Sequence, residues 1–297
     1  MIVKTLLALL YGIGFVFTTL ILRVSASRGQ LKPNIESIGV GAVTNFFDAL
    51  GIGSFATTTA YIKLRKLVPD SFIPATLNVG HALPTIAQAL IFIKLIKVDP
   101  PLLVACIVAA VAGSLVGAPI VQRTPVRVVQ GFVGVALLIA AALYAAANLD
   151  LMPIGGDALA LAGSWFVVAI VAHFVLGVLM MFGIGLYAPS LVTLSLLGLS
   201  PAAAFPIMMG ACAFLMPVSA LGFVRSERID LGVILGIAIG GIPAVLLAAF
   251  VVKSLPLVWL RWGVVVVVLY AAIMLLRSAM RPAAAVEATP ASVEGCA

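Results

Sequence analysis

Apolar blocks of about twenty residues, bounded by one or two charges, recur along the whole chain, as in Leu102–Val121 and Val126–Ala147. A block of that length crosses a ~30 Å hydrocarbon core as a helix. Of the 297 residues, 64% are hydrophobic and 9% charged, whereas a soluble domain carries ~25% charged residues. Mean hydropathy is +1.28. This pattern excludes a soluble enzyme, a nucleic-acid-binding domain and a secreted disulfide scaffold. The fold class is all-α, a polytopic transmembrane helix bundle of a multi-pass membrane protein.

The net charge of +7 comes from short Lys and Arg clusters between the apolar blocks, which is how topogenic loop charges are placed. No nucleic-acid partner follows from it. Three cysteines and two histidines fit neither a disulfide framework nor a metal cluster. Walker-type phosphate loops and haem attachment motifs are absent, so no cofactor is expected and the reading is non-enzymatic. Lys4, the run Thr5–Leu22 and Val24-Ser25-Ala26 loosely resemble a cleavable signal. The run is long for one, and an uncleaved first helix is the better reading. The Ala-, Pro- and Glu-rich stretch 281–297 reads as a disordered tail.

Candidate membrane segments are 3–23, 37–62, 72–93, 100–121, 126–147, 158–198, 200–224, 230–251 and 257–277, about 8–9 spans. Two are interrupted, by Gly51-Ile52-Gly53 and Gly183-Ile184-Gly185. Glycine at that density permits a break within the membrane. A shift of 132 along the numbering carries Gly51 onto Gly183 and Pro74 onto Pro206; a shift of 131 carries Phe92 onto Phe223, Asp99 onto Asp230 and Pro125 onto Pro256. This is the mark of two internal repeats, 37–147 and 158–277, after an extra helix and loop over 1–36. Such duplication is common in secondary transporters, with the repeats parallel or inverted. The 147–157 loop has Asp150 and Asp157 but no Lys or Arg, which places it outside. Lys63, Arg65, Lys66, Arg123 and Arg127 then fall inside, while Lys94 and Lys97 fall outside against the rule. The 24–36 loop, with Arg28 and Lys32, is inside only if 37–62 is re-entrant.

Polar groups inside a membrane tend to mark function. Asn78, His81, Thr85 and Gln88 are spaced to share one helix face. Thr44, Asn45 and Asp48 precede the first break, and Ser54, Thr57, Thr58 and Thr59 follow it. Eleven polar side chains thus fall within 45 residues. Any single Thr is more simply helix–helix glue, but the four-residue stripe with Asp48 points to a site. His173, flanked by Val171, Ala172, Phe174 and Val175, reads as a structural residue. At the shift of 132, Asn45, Asp48, Asn78 and His81 correspond to Gly177, Met180, Gly210 and Ala213. Glycine and proline recur, as scaffold would; the hydrophilic residues stay mostly in the first half.

A half-helix starting after Gly53 would offer unpaired N–H groups and a favourable dipole to an anion, beside the Ser54 and Thr57 hydroxyls. The second repeat has a similar start at Leu186, with Tyr187, Pro189 and Ser190. The expected substrate-binding residues are therefore Asn45, Gly51, Gly53, Ser54, Thr57, Asn78, Thr85, Gln88, Gly183, Gly185, Tyr187 and Ser190. Asp48 and His81 are the groups able to exchange protons.

Val43-Thr44-Asn45-Phe46-Phe47-Asp48-Ala49-Leu50-Gly51-Ile52-Gly53 and Pro74-Ala75-Thr76-Leu77-Asn78-Val79-Gly80-His81 resemble the TauE/SafE family of sulfite and organosulfonate exporters. The resemblance covers about 37–277. It implies an inner-membrane permease for anionic, often sulfur-containing, substrates; Ser54 and Phe55 depart from the family's commoner glycine run. The expected partners are a small anion, the lipid bilayer and, as one option, further copies of the same chain. Two rival readings are a membrane-embedded enzyme pairing Asp48 and His81 with a Ser54 nucleophile, and a non-transporting scaffold or sensor.

Overall fold

A computed structural model describes residues 2–51, 53–69, 72–121, 156–225, 229–254 and 257–280, with scattered positions in 127–149. Eleven helices are bounded among the described residues: α1 (Ile2–Ser27), α2 (Ile35–Ala49), α3 (Ser54–Arg65), α4 (Ile73–Gly80), α5 (Ala82–Leu95), α6 (Pro100–Val121), α7 (Gly163–Met180), α8 (Tyr187–Leu196), α9 (Pro201–Arg225), α10 (Leu231–Ser254) and α11 (Leu257–Met280). Among the described residues, six helices are long and apolar enough to span a membrane: Ile2–Ser27, Ile73–Leu95, Pro100–Ala118, Gly163–Met180, Pro201–Val224 and Leu231–Phe250. The span Ile73–Leu95 joins α4 to α5 through His81, whose N–H donates to Leu77 O and whose carbonyl accepts from Thr85 N–H. The 126–147 segment, the 147–157 loop and the 281–297 tail lie wholly or mostly outside the described residues.

Both glycine-interrupted segments are hairpins. At the open end of the first, Glu36 on α2 accepts from Tyr61 Oη and Arg65 Nε on α3, each at 2.8 Å. Those bonds, Arg65 first, hold the Glu36 carboxyl below its ordinary value. In the second, Ser200 N–H, just past α8, donates to Ala158 O at 2.8 Å, ahead of α7. Each chain segment therefore turns back to the end from which it came. Gly51 (φ 91°) and Gly183 (φ 81°) occupy the turns in a conformation that side chains rarely adopt.

Local bonds recur at the spacing of the glycines. Gly51 N–H donates to Asp48 O and Gly183 N–H to Met180 O; Leu67 N–H donates to Ile62 O and Leu199 N–H to Leu194 O. Asp99 caps α6 through Leu102 N–H, and Asp230 caps α10 through Val233 N–H, both at 3.0 Å. Such caps are each worth ~1 kcal/mol.

Packing is reciprocal as well. α2 lies along α10, and α6 along α7. A Cβ on Gly41 would overlap the Ile237 backbone, and one on Gly240 the Ile38 carbonyl. In the other pair, Cβ atoms on Gly113 and Gly177 would overlap the Phe174 and Ala110 backbones. Small residues allow this close approach, as membrane helices require where no hydrophobic force acts between them. Outward-facing Phe15, Val16, Val171 and Phe250 are exposed, the surface of a bundle solvated by lipid.

Two ends can be distinguished. Arg28 Nη2 donates to Val224 O at 2.9 Å, and Asn34 N–H to Gly232 O at 2.9 Å. This end gathers the close of α1 and α9 and the start of α2 and α10. At the other end Asp99 N–H donates to Leu159 O at 2.9 Å.

Candidate functional site

The two hairpin tips meet in the interior. A Cβ on Gly53 would lie 3.9 Å from Tyr187 Cβ, and one on Gly185 would lie 3.4 Å from Phe55 Cβ. The shift that carries Gly53 onto Gly185 also carries Phe55 onto Tyr187, so each tip meets the other through the same two positions. Gly51 abuts Phe205 and Leu191, and Gly183 abuts Leu77. The starts of α3 and α8 therefore face a common buried centre, and their dipoles concentrate positive potential there.

The first start is not open. Asp48, at the end of α2, reaches across the break, and its Oδ1 accepts from Ser54 N–H. The N–H group that the sequence assigned to substrate is thus held by the protein's own carboxylate. No side-chain cap occupies the start of α8. Asp48 Oδ2 accepts from Gln88 Nε2 at 2.8 Å, and Gln88 Oε1 accepts from Tyr187 Oη at 2.6 Å. The Thr85 hydroxyl lies beside the same phenol. This bond chain joins α2, α5 and α8, and so both tips.

His81 belongs to a second cluster. Asn45 Nδ2 donates to Gly41 O at 2.8 Å, which turns Asn45 Oδ1 towards His81 Nδ1 at 3.0 Å. A carbonyl oxygen only accepts, so Nδ1 carries the hydrogen. In the neutral ring Nε2 then accepts from the Thr58 hydroxyl at 3.0 Å. Asp48 and His81 thus bind different partners. The imidazole engages Thr58 and Asn45 while Asp48 engages Ser54 N–H and Gln88, so among the described residues Asp48 and His81 do not bond to each other as the rival enzymatic reading would have them.

Asn45, His81, Thr58 and Gln88 are fully buried, with Asp48 2% and Thr85 1% exposed. The stripe on α4 and α5 faces the protein interior. Two expected site residues stand apart: Thr57 turns its hydroxyl back to Ser54 O at 2.9 Å, and Asn78 donates to Pro74 O at 3.0 Å. Among the described residues, Asn78 Oδ1 is buried without a partner. Ser190 binds His173 Nε2 at 2.9 Å, a pairing the sequence reading missed. Its signal was present, since the shift that relates the glycine breaks carries Thr58 onto Ser190 and both are hydroxyls.

No family model matches the chain, and neither a curated protein nor a solved structure matches it.

Proposed function

We propose that the chain is a multi-pass inner-membrane secondary transporter, an exporter of small anions such as sulfite or an organosulfonate. It is built from two inverted repeats, each a re-entrant hairpin followed by three spans. Three crossings per repeat reverse the second repeat relative to the first. The recurrent caps and turn bonds and the reciprocal packing of α2 on α10 and α6 on α7 support this. Charge supports it too. Among the described residues, Arg23, Arg28, Lys32, Lys63, Arg65, Lys66, Arg127, Arg225 and Arg277 fall at one end, the cytoplasmic one, against Lys4, Lys94, Lys97, Lys253 and Arg261 at the other.

The observation that carries the functional reading is the meeting of two half-helix starts at a buried centre whose bonds are made by Asp48, Gln88 and Tyr187 rather than by Lys or Arg. Dipoles and N–H groups can hold an anion there without a permanent cation to trap it. Asp48 takes that place while the site is closed. A proton on Asp48 removes its charge and loosens its hold on Ser54 N–H, so anion entry and proton uptake go together.

The test is flux in proteoliposomes with a panel of sulfur oxyanions. Saturable, pH-gradient-dependent sulfite or sulfonate uptake is expected. Flux of neutral solutes alone, or none for any anion, overturns the reading.

A further inference from the structure

The proposed mechanism leaves His173 without a task, yet its surroundings match those of His81. Thr58 and Ser190 stand one turn into α3 and α8, at equivalent positions under the shift that relates the two glycine breaks. Each hydroxyl meets a histidine Nε2, at 3.0 Å for His81 and 2.9 Å for His173. Each histidine turns Nδ1 to a carbonyl oxygen, Asn45 Oδ1 at 3.0 Å and Ala169 O at 2.8 Å. Both rings are therefore fixed in the same neutral form, with Nε2 accepting from a hydroxyl.

The two imidazoles do not correspond in the repeat. His81 aligns with Ala213, and His173 aligns with Gly41. A histidine has thus reached the equivalent hydroxyl from two different elements, α4–α5 in one half and α7 in the other. All four side chains are fully buried. From the meeting point of the tips, α3 runs to the end holding Glu36 and Arg65, and α8 runs to the end holding Ala158 and Ser200. The two pairs therefore lie on opposite sides of the tips.

We propose that His173 and Ser190 form a second proton-accepting site, across the hairpin tips from His81 and Thr58. This rests on the transport reading above. Uptake of a proton at His173 Nε2 makes that nitrogen a donor to Ser190 Oγ. The hydroxyl hydrogen then turns to the Leu186 carbonyl one turn back, a bond serine commonly makes in a helix. Release of the proton reverses both moves, and no other bond forms or breaks. Little else near His173 titrates among the described residues. α7 carries no other titratable group, α6 offers only Cys106 and α8 only Tyr187.

Two measurements on the full chain in bilayers test this. The first is the ratio of pH-gradient-driven sulfite uptake to sulfite exchange at equal pH. We expect His173→Gln to lower that ratio at least tenfold and Ser190→Ala to shift its pH dependence. A purely structural histidine would lower both rates together, and an unchanged ratio overturns the proposal. The second is the imidazole ¹⁵N spectrum of the His81→Gln protein, whose single remaining histidine is His173. Conversion from the Nδ1–H ring to imidazolium between pH 8 and 4 is expected, and a ring that stays neutral throughout overturns the proposal. If the protein moves no sulfite, the anion reading fails while these spectra still decide the question of His173.

Discussion

In the hairpin of α2 and α3 the carboxylate of Asp48 crosses the break to Ser54 N–H. In the hairpin of α7 and α8 the residue at the same turn position is Met180, whose sulfur meets the Cys212 thiol at 3.8 Å. The turns themselves match, with Gly51 bonding back to residue 48 and Gly183 to residue 180. The backbone is common to both; the charge belongs to one. A bundle that must fold in lipid needs its turns, caps and close helix contacts in both halves. Under the transport reading proposed above one proton-exchanging carboxylate suffices, and a second buried one would add desolvation cost.

The sharpest way to break the comparison is to fill the glycine contacts. Gly41→Val and Gly177→Val would each drive side-chain atoms into a facing backbone, Ile237 in one interface and Ala110 in the other. Backbone cannot yield as a side chain can, so we expect each to cost more than ~3 kcal/mol and to abolish the folded, monodisperse protein. Gly222→Val, where no atom lies within 4 Å, is the control. Unequal damage from the two interface variants, read by thermal stability in micelles, would mean that the interfaces are not equivalent.

Asp48→Asn comes next and tests the chemical half of the contrast. Asn can still accept from Ser54 N–H, and Gln88 can reverse its amide because the Tyr187 hydroxyl donates or accepts. The network closes without a charge, so the fold survives. We expect the ratio of pH-gradient-driven uptake to equal-pH exchange to fall about a hundredfold, equivalent to ~2.7 kcal/mol. Gradient-driven uptake at the normal ratio would reduce Asp48 to a packing residue.

Gln88→Ala tests the bridge between the two hairpins by stability. It leaves Asp48 Oδ2 and Tyr187 Oη without their partner, and a buried orphan costs ~1–3 kcal/mol. We expect a loss of about 2 kcal/mol. Cys212→Ala, which removes only a weak sulfur contact from the second hairpin, should cost about 1 kcal/mol or less. Equal losses in a chemical denaturation series would mean that the Asp48–Gln88–Tyr187 chain adds no more than the sulfur contact of the second hairpin.

Much of this architecture is legible in the sequence. Block length marks the spans, and Asp marks the starts of α6 and α10, with Pro beside it in α6, because those signals are local. The glycine tripeptides mark the breaks for the same reason. The hairpin geometry is not local: residue 36 meets residue 65 only because the break reverses direction. Partner choice is also hidden. Asp48, His81 and Ser54 are close in sequence or on facing helices, yet the amides of Asn45 and Gln88 decide which oxygen meets which nitrogen. The partner of His173 was hidden for a further reason, since apolar neighbours along its own helix say nothing about the hydroxyl that α8 brings to it.

The smallest expected effect lies where the two hairpins end. α3 closes on Lys66 in the left-handed conformation (φ 52°), the one non-glycine residue among those described with positive φ. Its counterpart in the second half is Gly198, also left-handed at φ 94° and following the end of α8. The chain must turn in the same way after each half-helix, and only the second half uses the residue suited to it. Left-handed φ costs a side-chain-bearing residue ~1–2 kcal/mol, while glycine gives back ~0.5–1 kcal/mol in unfolded-chain entropy. Lys66→Gly should therefore stabilise the protein by about 0.5 kcal/mol, and Gly198→Ala should destabilise it by about 1 kcal/mol. No atom lies within 4 Å of a Cβ placed on Gly198, so that loss would be conformational rather than steric. Opposite signs in paired melting curves would support two turns of one design, one of them strained. A loss of stability in Lys66→Gly would mean that the lysine side chain holds its turn through a contact the second half does not need.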